Sequence, residues 1–386
     1  MAQALDPVRF ADLAGFAEDD ALAAFQTFLR SAKALVRGDA ATRPAKAPPP
    51  ALLQLAKEAL SAGVVGASQA RDFFEHGFEP YRVRPDGGAE AGFLTGYYEP
   101  RLRGSLTPSQ EFSAPVLARP DDLVTFAPGE APPSFDAALS GAQRLAGGAL
   151  RPYPERAAIE AGAAAGEGRP ILWLRDAVEV YMAQVQGSAC VELTDGPLVR
   201  LAYDGRNGQP YVSIGRLLIE SGEIGESDMS LERLKSWLRA NGLAPGTRAR
   251  DLMQRNRSYV FFKIETAFDP ADGPIGGAGV ALTPLRSIAI DRNLWPYGAP
   301  FWLDARLPWR GPESSPFRRL TIAQDTGSAI LGAARADLFS AAARRRDGAP
   351  ATSAIPAISP CCCRAGRHRE RTLAHSASGA LAPPQR

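Results

Sequence analysis

The stretch TIAQDTGSAILGAARADLF, residues 321–339, holds two acids whose types and spacing can do chemistry. Asp325 opens an Asp-Thr-Gly-Ser turn after an apolar, β-branched approach, which is how a pepsin-like protease presents a catalytic aspartate. Asp337 follows twelve residues later, beyond a Gly/Ala-rich turn. Pepsin-like catalysis needs two aspartates sharing one proton, because carboxylates at hydrogen-bonding distance cannot both ionise. A single-chain enzyme of that kind carries two Asp-Thr/Ser-Gly turns, and this chain has one. An aspartic protease is therefore a remote alternative. Two readings remain open on spacing alone. Asp325 can accept backbone N–H bonds within its own turn while Asp337 caps a helix. Alternatively, the Gly/Ala turn folds the chain back and brings both carboxylates to one cleft.

The elements that must position these acids are mainly strands. Residues 20–36 place Leu22, Phe25, Phe28, Leu29 and Leu35 at helical spacing behind an acidic Asp19-Asp20 start, which predicts an amphipathic helix. A Pro-rich connector at 41–51 precedes two shorter helical stretches, 52–61 and 67–76. From residue 92 the chain reads as short strands between Gly/Pro turns, at 171–174, 180–193, 199–205, 258–265, 287–293, 300–307 and 319–325, with helices at 213–221, 230–241 and 248–255. Many short strands and few long helices predict β-barrel architecture rather than a parallel doubly wound sheet.

Bulk properties narrow the function classes. The 386 residues suffice for two domains, each burying its own core. From Ser340 onward there are eight arginines against Asp347 and Glu370, which leaves the first 339 residues at a net charge of about −4. That body offers no phosphate-binding stripe, so no nucleic-acid partner is expected. No run approaches the ~20 apolar residues of a membrane helix, and the N-terminus shows no secretion signal or lipobox cysteine. The tail from Ser340, rich in Ala, Arg, Pro and Ser, has no hydrophobic period and is expected to be disordered. Its Cys361–Cys363 triplet with His368 and His375 matches the spacing of no zinc module, so no metal is expected.

Six motifs occur in order: TGYYEP (95–100), VQGSACVEL (185–193), LAYDGRNGQPYVSIGRLL (201–218), RNRSYVFF (255–262), GPIGGAGVALTPLRSIAIDRNLWPYGAPFWLD (273–304) and AQDTGSAILGAARADLF (323–339). Together they closely resemble the membrane-bound lytic murein transglycosylase A family over roughly residues 7–339. The resemblance implies a double-psi β-barrel domain with N-terminal helices, about 1–100 plus 274–339, and an inserted β domain, about 101–273. It also implies cleavage of the β-1,4 bond between N-acetylmuramic acid and N-acetylglucosamine in peptidoglycan, with 1,6-anhydromuramic ends. The family's single catalytic acid corresponds to Asp337, and Asp325 to its other, supporting aspartate.

The implied substrate needs hydrogen-bonding groups and aromatic faces. Thr95, Tyr97, Tyr98 and Glu99 form one expected binding cluster, Gln186, Ser188 and Tyr203 a second, and Ser258 with Tyr259 a third. Gly96, Gly187 and Gly327 are expected to be turn residues with unusual dihedrals. No cofactor is implied. Glycan strands are the expected partner, with cell-wall remodelling proteins beside them, for a monomer at the periplasmic or outer-membrane side. Two departures stand out. Leu331 occupies a position where the family usually carries lysine. The pattern also stops after Phe339, where the composition is that of a GC-rich gene read out of frame. An unpaired sheet edge beside the active site is the expected consequence, with a glycan-binding protein of impaired catalysis as the alternative function.

Overall fold

The computed structural model describes residues 5–340 apart from 64–65, 86–90, 127–129, 164–168, 195 and 311–312, together with 355–356 and 361–365. The fold is mainly β with helices at its N-terminal side. The helix Ala21–Arg37 starts where the Asp20 side chain accepts the Ala23 N–H, and it ends at Gly38, whose φ of 71° closes the last turn in the left-handed region. Phe25, Phe28 and Ala32 of that helix bury against Leu52, Phe74 and Phe78 and against Trp302, Leu320 and Ile322 of the sheet below. Asp19, read as part of the helix start, instead accepts two bonds from the buried Arg286 guanidinium at 2.7 and 2.8 Å. That ion pair ties the N-terminal segment to the segment preceding Ser287.

Nine strands form the larger sheet, in the order Leu5–Pro7, Phe78–Val83, Cys361–Ala365, Pro300–Leu307, Ser315–Asp325, Ser287–Ile290, Arg335–Ser340, Phe93–Tyr98 and Ile355–Pro356. After Tyr98 the chain passes through Glu99-Pro100 into a six-stranded sheet ordered Val260–Glu265, Leu198–Arg206, Ser188–Leu193, Arg101–Ser105, Pro170–Leu174 and Ala114–Leu117. A separate core of Val116, Leu172, Val191, Leu201 and Phe262 lies under this second sheet. The helices Ile214–Glu220, Leu231–Ala240 and Arg248–Arg255 close over its far side with Tyr181 and Met182.

Two readings are corrected. Residues 180–186, read as strand from their Val and Tyr content, lie in the helix Ala177–Gln186. Asp176 caps it by accepting the Glu179 N–H, and Gly187 ends it at φ 85°; caps at both ends outweigh β-propensity here. Residues 335–340 are a strand, so Asp337 is no helix cap. Within the tail, the backbone of Cys361–Ala365 pairs with Phe78–Val83 on one side and with Phe301 and Trp302 on the other. His368 and His375 lie outside the described residues.

Candidate active site

A single row of residues across the larger sheet assembles the acids. Ala289 pairs with Asp325 on its parallel side and with Asp337 on its antiparallel side. Asp337 in turn pairs with Thr95. Residues paired across adjacent strands share a face, so Asp325, Ala289, Asp337 and Thr95 line one surface. Two strand spacings put the aspartate Cα atoms roughly 10 Å apart, and the methyl group of Ala289 leaves the space between them open.

The two carboxylates are held by different partners. Asp337 Oδ1 accepts the Thr95 hydroxyl at 2.7 Å. Arg335 Nη2 donates to that same Thr95 oxygen at 2.7 Å while its guanidinium carbon lies 4.8 Å from the Phe93 ring centroid. Asp325 Oδ1 accepts the Gly277 and Thr326 N–H groups at 2.7 and 2.8 Å, and its Oδ2 accepts the Tyr97 hydroxyl at 2.7 Å. Asp325 is saturated with donors, and Asp337 is not.

Burial pushes the Asp337 carboxyl up to about 6; the charge of Arg335 and the Thr95 bond oppose the shift, and the negative charge of Asp325 adds to it. Burial, then the charge of Asp325 and the bond to it, raise the Tyr97 hydroxyl well above its ordinary value, so Tyr97 remains a donor. Tyr211, which follows the second sheet, is raised mainly by burial and also feels the Asp337 charge.

The glycines of GPIGGAG make the close approach possible. A Cβ at Gly277 would lie 2.4 Å from the Tyr297 hydroxyl, and one at Gly276 would lie 2.6 Å from the Gln324 carbonyl oxygen. Gly277→Ala should therefore displace the N–H that holds Asp325. The expected outcome is a loss of about 1–3 kcal/mol of stability, read by urea unfolding, with a further fall in activity per folded molecule. Of the three glycines expected to need unusual dihedrals, only Gly187 has a positive φ; Gly96 lies within the strand Phe93–Tyr98.

The expected binding residues separate into two groups. Thr95 and Tyr97 stand on the aspartate row, and the Tyr98 N–H donates to Gln186 Oε1 at 3.0 Å, joining the first two clusters. Tyr203 lies half-buried with the Arg43 guanidinium carbon 3.9 Å from its ring centroid. The others turn inward. Glu99 is buried and accepts from Arg200 Nε at 2.8 Å and Nη2 at 3.1 Å, so its carboxylate is committed. Ser188 is buried. Ser258 and Tyr259 belong to the interior of the second unit: the Ser258 carbonyl accepts from the buried Arg156, and Tyr259 packs against Phe261. An aromatic or hydroxyl in a strand-rich motif serves a core as readily as a cleft, and spacing did not separate the two.

Arg43 and Arg335 were missed. Arg335 stands two residues before Asp337 on the same strand, where strand alternation puts it on the same face. Arg43 lies in the Pro-rich connector, whose composition reads as a linker. It is nevertheless fixed: the Arg43 N–H donates to the Gly277 carbonyl at 3.1 Å, and Nη1 donates to the Thr326 carbonyl at 2.5 Å.

Residues 93–263 match the family model described as the MltA specific insert domain, and residues 286–348 match the 3D domain. The second match runs past Phe339, where the family pattern was expected to stop. A crystal structure of a membrane-bound lytic murein transglycosylase from Agrobacterium tumefaciens is 30% identical, covering 94% of this chain and 98% of that one, with a TM-score of 0.80. A monoclinic crystal form of MltA from Neisseria gonorrhoeae is 26% identical over 95% of this chain and 93% of that one, with a TM-score of 0.73. Membrane-bound lytic murein transglycosylase A of Vibrio cholerae is 37% identical over 184 residues, 46% of this chain and 47% of the relative. The chain spans about half the length of the curated relatives it matches. With both family models in order along the chain and a solved relative matched over nearly its whole length, the chain belongs to the membrane-bound lytic murein transglycosylase A family.

Proposed function

We propose that this chain is a peptidoglycan lytic transglycosylase in which Asp337 is the single acid/base. The observation that carries the reading is the asymmetry of the two aspartates. Asp337 is raised to about 6 and has one side-chain hydroxyl as its bonded partner, whereas Asp325 is held by three donors. One carboxyl is thereby suited to donate a proton and the other to stay put. An aspartic protease needs the two to share a proton, and their separate partners argue against it.

Ordinary glycosidases set two carboxylates around the scissile bond because water must be activated or the sugar attacked. A lytic transglycosylase needs only one. Protonated Asp337 gives its proton to the departing glycosidic oxygen as the C1–O4 bond breaks. The C6 hydroxyl of the same muramic acid residue then attacks C1, and its proton passes to the Asp337 carboxylate. The products are a 1,6-anhydromuramic end and a free 4-hydroxyl, with no water consumed. Asp325 supports the acid by keeping Tyr97 in place and by adding negative charge that disfavours ionised Asp337. The substrate cleft lies between a unit of residues about 1–100 plus 274–339 and an insert of about 101–273. Thr95, Tyr97, Tyr98, Gln186 and Tyr203 are the expected glycan contacts.

Relatives named as membrane-bound support a working site at the periplasmic or outer-membrane side, where the polymer is. Among the described residues no helix is long and apolar enough to cross a membrane. The deciding experiment is incubation with purified sacculi followed by mass analysis of the soluble products. Anhydro and hydrated sugar ends differ by one water, so hydrated ends would overturn the mechanism. Binding without release would leave only a glycan-binding role.

A further inference from the structure

Three arginines gather beside the Pro-rich connector, and none makes an ion pair among the described residues. Arg43 comes from the connector, Arg206 from the end of the strand Leu198–Arg206 in the second sheet, and Arg292 from the loop after Ser287–Ile290. The site is built. The Tyr297 hydroxyl donates to the Arg43 carbonyl at 3.0 Å, Arg292 Nη1 donates to the Pro44 carbonyl at 3.2 Å, and the Lys46 N–H donates to the Arg292 carbonyl at 2.7 Å. Arg206 Nη2 donates to Ser140 Oγ and the Gln209 carbonyl, both at 3.1 Å, while its Nε is buried and has no partner. Burial, with the repulsion of Arg43 and Arg292 adding to it, holds the Arg206 guanidinium below its ordinary value. Asp325, whose negative charge Arg43 feels, has its oxygens occupied by Gly277, Thr326 and Tyr97.

Like charges gathered in a partly buried place cost free energy, and an entering anion relieves that cost. The guanidinium fork suits a carboxylate in bidentate fashion. We infer that Arg43, Arg206 and Arg292 form a subsite for a carboxylate carried by the glycan, beside the Tyr203 ring. The inference rests on the proposed glycan function and deepens it: the enzyme selects acidic glycan over neutral oligomers of N-acetylglucosamine. A carboxylate reaches this place from one of two sources, the lactyl group of muramic acid or the stem peptide.

Binding is measured in an Asp337→Asn background, so that no probe is consumed. The probes are neutral chitohexaose, a peptide-free muramic-containing oligomer with free lactyl carboxylates, and a peptide-bearing oligomer. Arg43→Gln and Arg292→Gln should each weaken the acidic probes about tenfold, an effect that fades in high salt, and leave chitohexaose unchanged. Loss on the peptide-free probe alone assigns the lactyl source, because a stem peptide ties that carboxyl up as an amide. Loss on the peptide-bearing probe alone assigns the stem, and loss on both shows a subsite that takes either carboxylate. Equal loss on chitohexaose, or no loss on either acidic probe, would overturn the subsite. Chitohexaose also reports whether each variant is folded. Failure of the parent chain to form anhydro ends would sink the catalytic reading without touching this binding difference.

Discussion

Asp337→Asn is expected to lower release of anhydro-muropeptides by at least about a thousandfold, since one group supplies both the proton donation and the proton acceptance that general acids and bases ordinarily divide. Thr95 can still donate to the amide oxygen, so the local hydrogen bond survives the change. Stability should move the other way. The folded carboxyl lies near 6 against an ordinary 3.8, so the fold holds this proton more tightly than the unfolded chain does. The stabilising difference is fully present below pH 3.8 and is lost as pH rises through about 6. The neutral amide escapes that loss. Asp337→Asn should therefore melt higher than the parent at pH 8, by on the order of 2 kcal/mol, and close to it at pH 4. The parent's activity should hold below about pH 6 and fall roughly tenfold per pH unit above it, because only the protonated acid starts the reaction. A variant that keeps full activity, or one that loses activity only because it melts lower, removes Asp337 from the mechanism.

Arg200→Ala should produce the largest loss of stability, about 3–5 kcal/mol by chemical unfolding. Glu99 and Arg200 are 5% and 2% exposed, so removing the cation strands a carboxylate out of water. Arg200 Nη2 also donates to the Asp272 carbonyl at 2.8 Å, and its guanidinium carbon lies 4.2 Å from the Phe268 ring centroid. The pair therefore binds the point where the chain leaves the larger sheet, at Glu99, to the segment by which it returns, at Asp272. Burial, followed by the charge of Glu99, pushes the Cys190 thiol up to about 12, so it stays neutral and donates to Glu99 Oε2 at 3.1 Å. Replacing Glu99 and Arg200 together by methionine should recover much of the loss, since no uncompensated charge remains. If Arg200→Ala unfolds like the parent, the crossing does not depend on this pair.

Much of the strand framework was legible along the chain. Residues 171–174, 199–205, 300–307 and 319–325 each lie in or largely within an observed strand, because β-branched and aromatic runs between Gly/Pro turns have few other ways to bury themselves. The run at 180–186 failed for an equally local reason: the cap at Asp176 and the stop at Gly187 sat outside the pattern that was weighed. Within the candidate site, Asp325, Asp337, Thr95 and Tyr97 were named from quoted motifs, and they meet on one face. Glu99, Ser258 and Tyr259 came from the same kind of motif and turned inward. Residue type carries a side chain's chemistry but not the direction it faces once strands pair.

The sequence by itself determined the inventory: two acids twelve residues apart in one segment, motifs in family order, a mainly β framework and an acidic body with a basic tail. Tertiary structure decided which groups act together. Register puts both acids opposite Ala289, although Ala289 lies well outside the stretch that contains them. Bonds from Gly277 and Tyr97, far along the chain, then hold Asp325 in place, while burial raises the Asp337 carboxyl to about 6 against the opposing Thr95 bond. The same holds for Arg43, which looks like linker until its backbone is pinned to Gly277 and its side chain crosses to Tyr203. Side-chain chemistry is local and can be read one residue at a time. Burial and charge–charge energies depend on distances that only the folded chain sets.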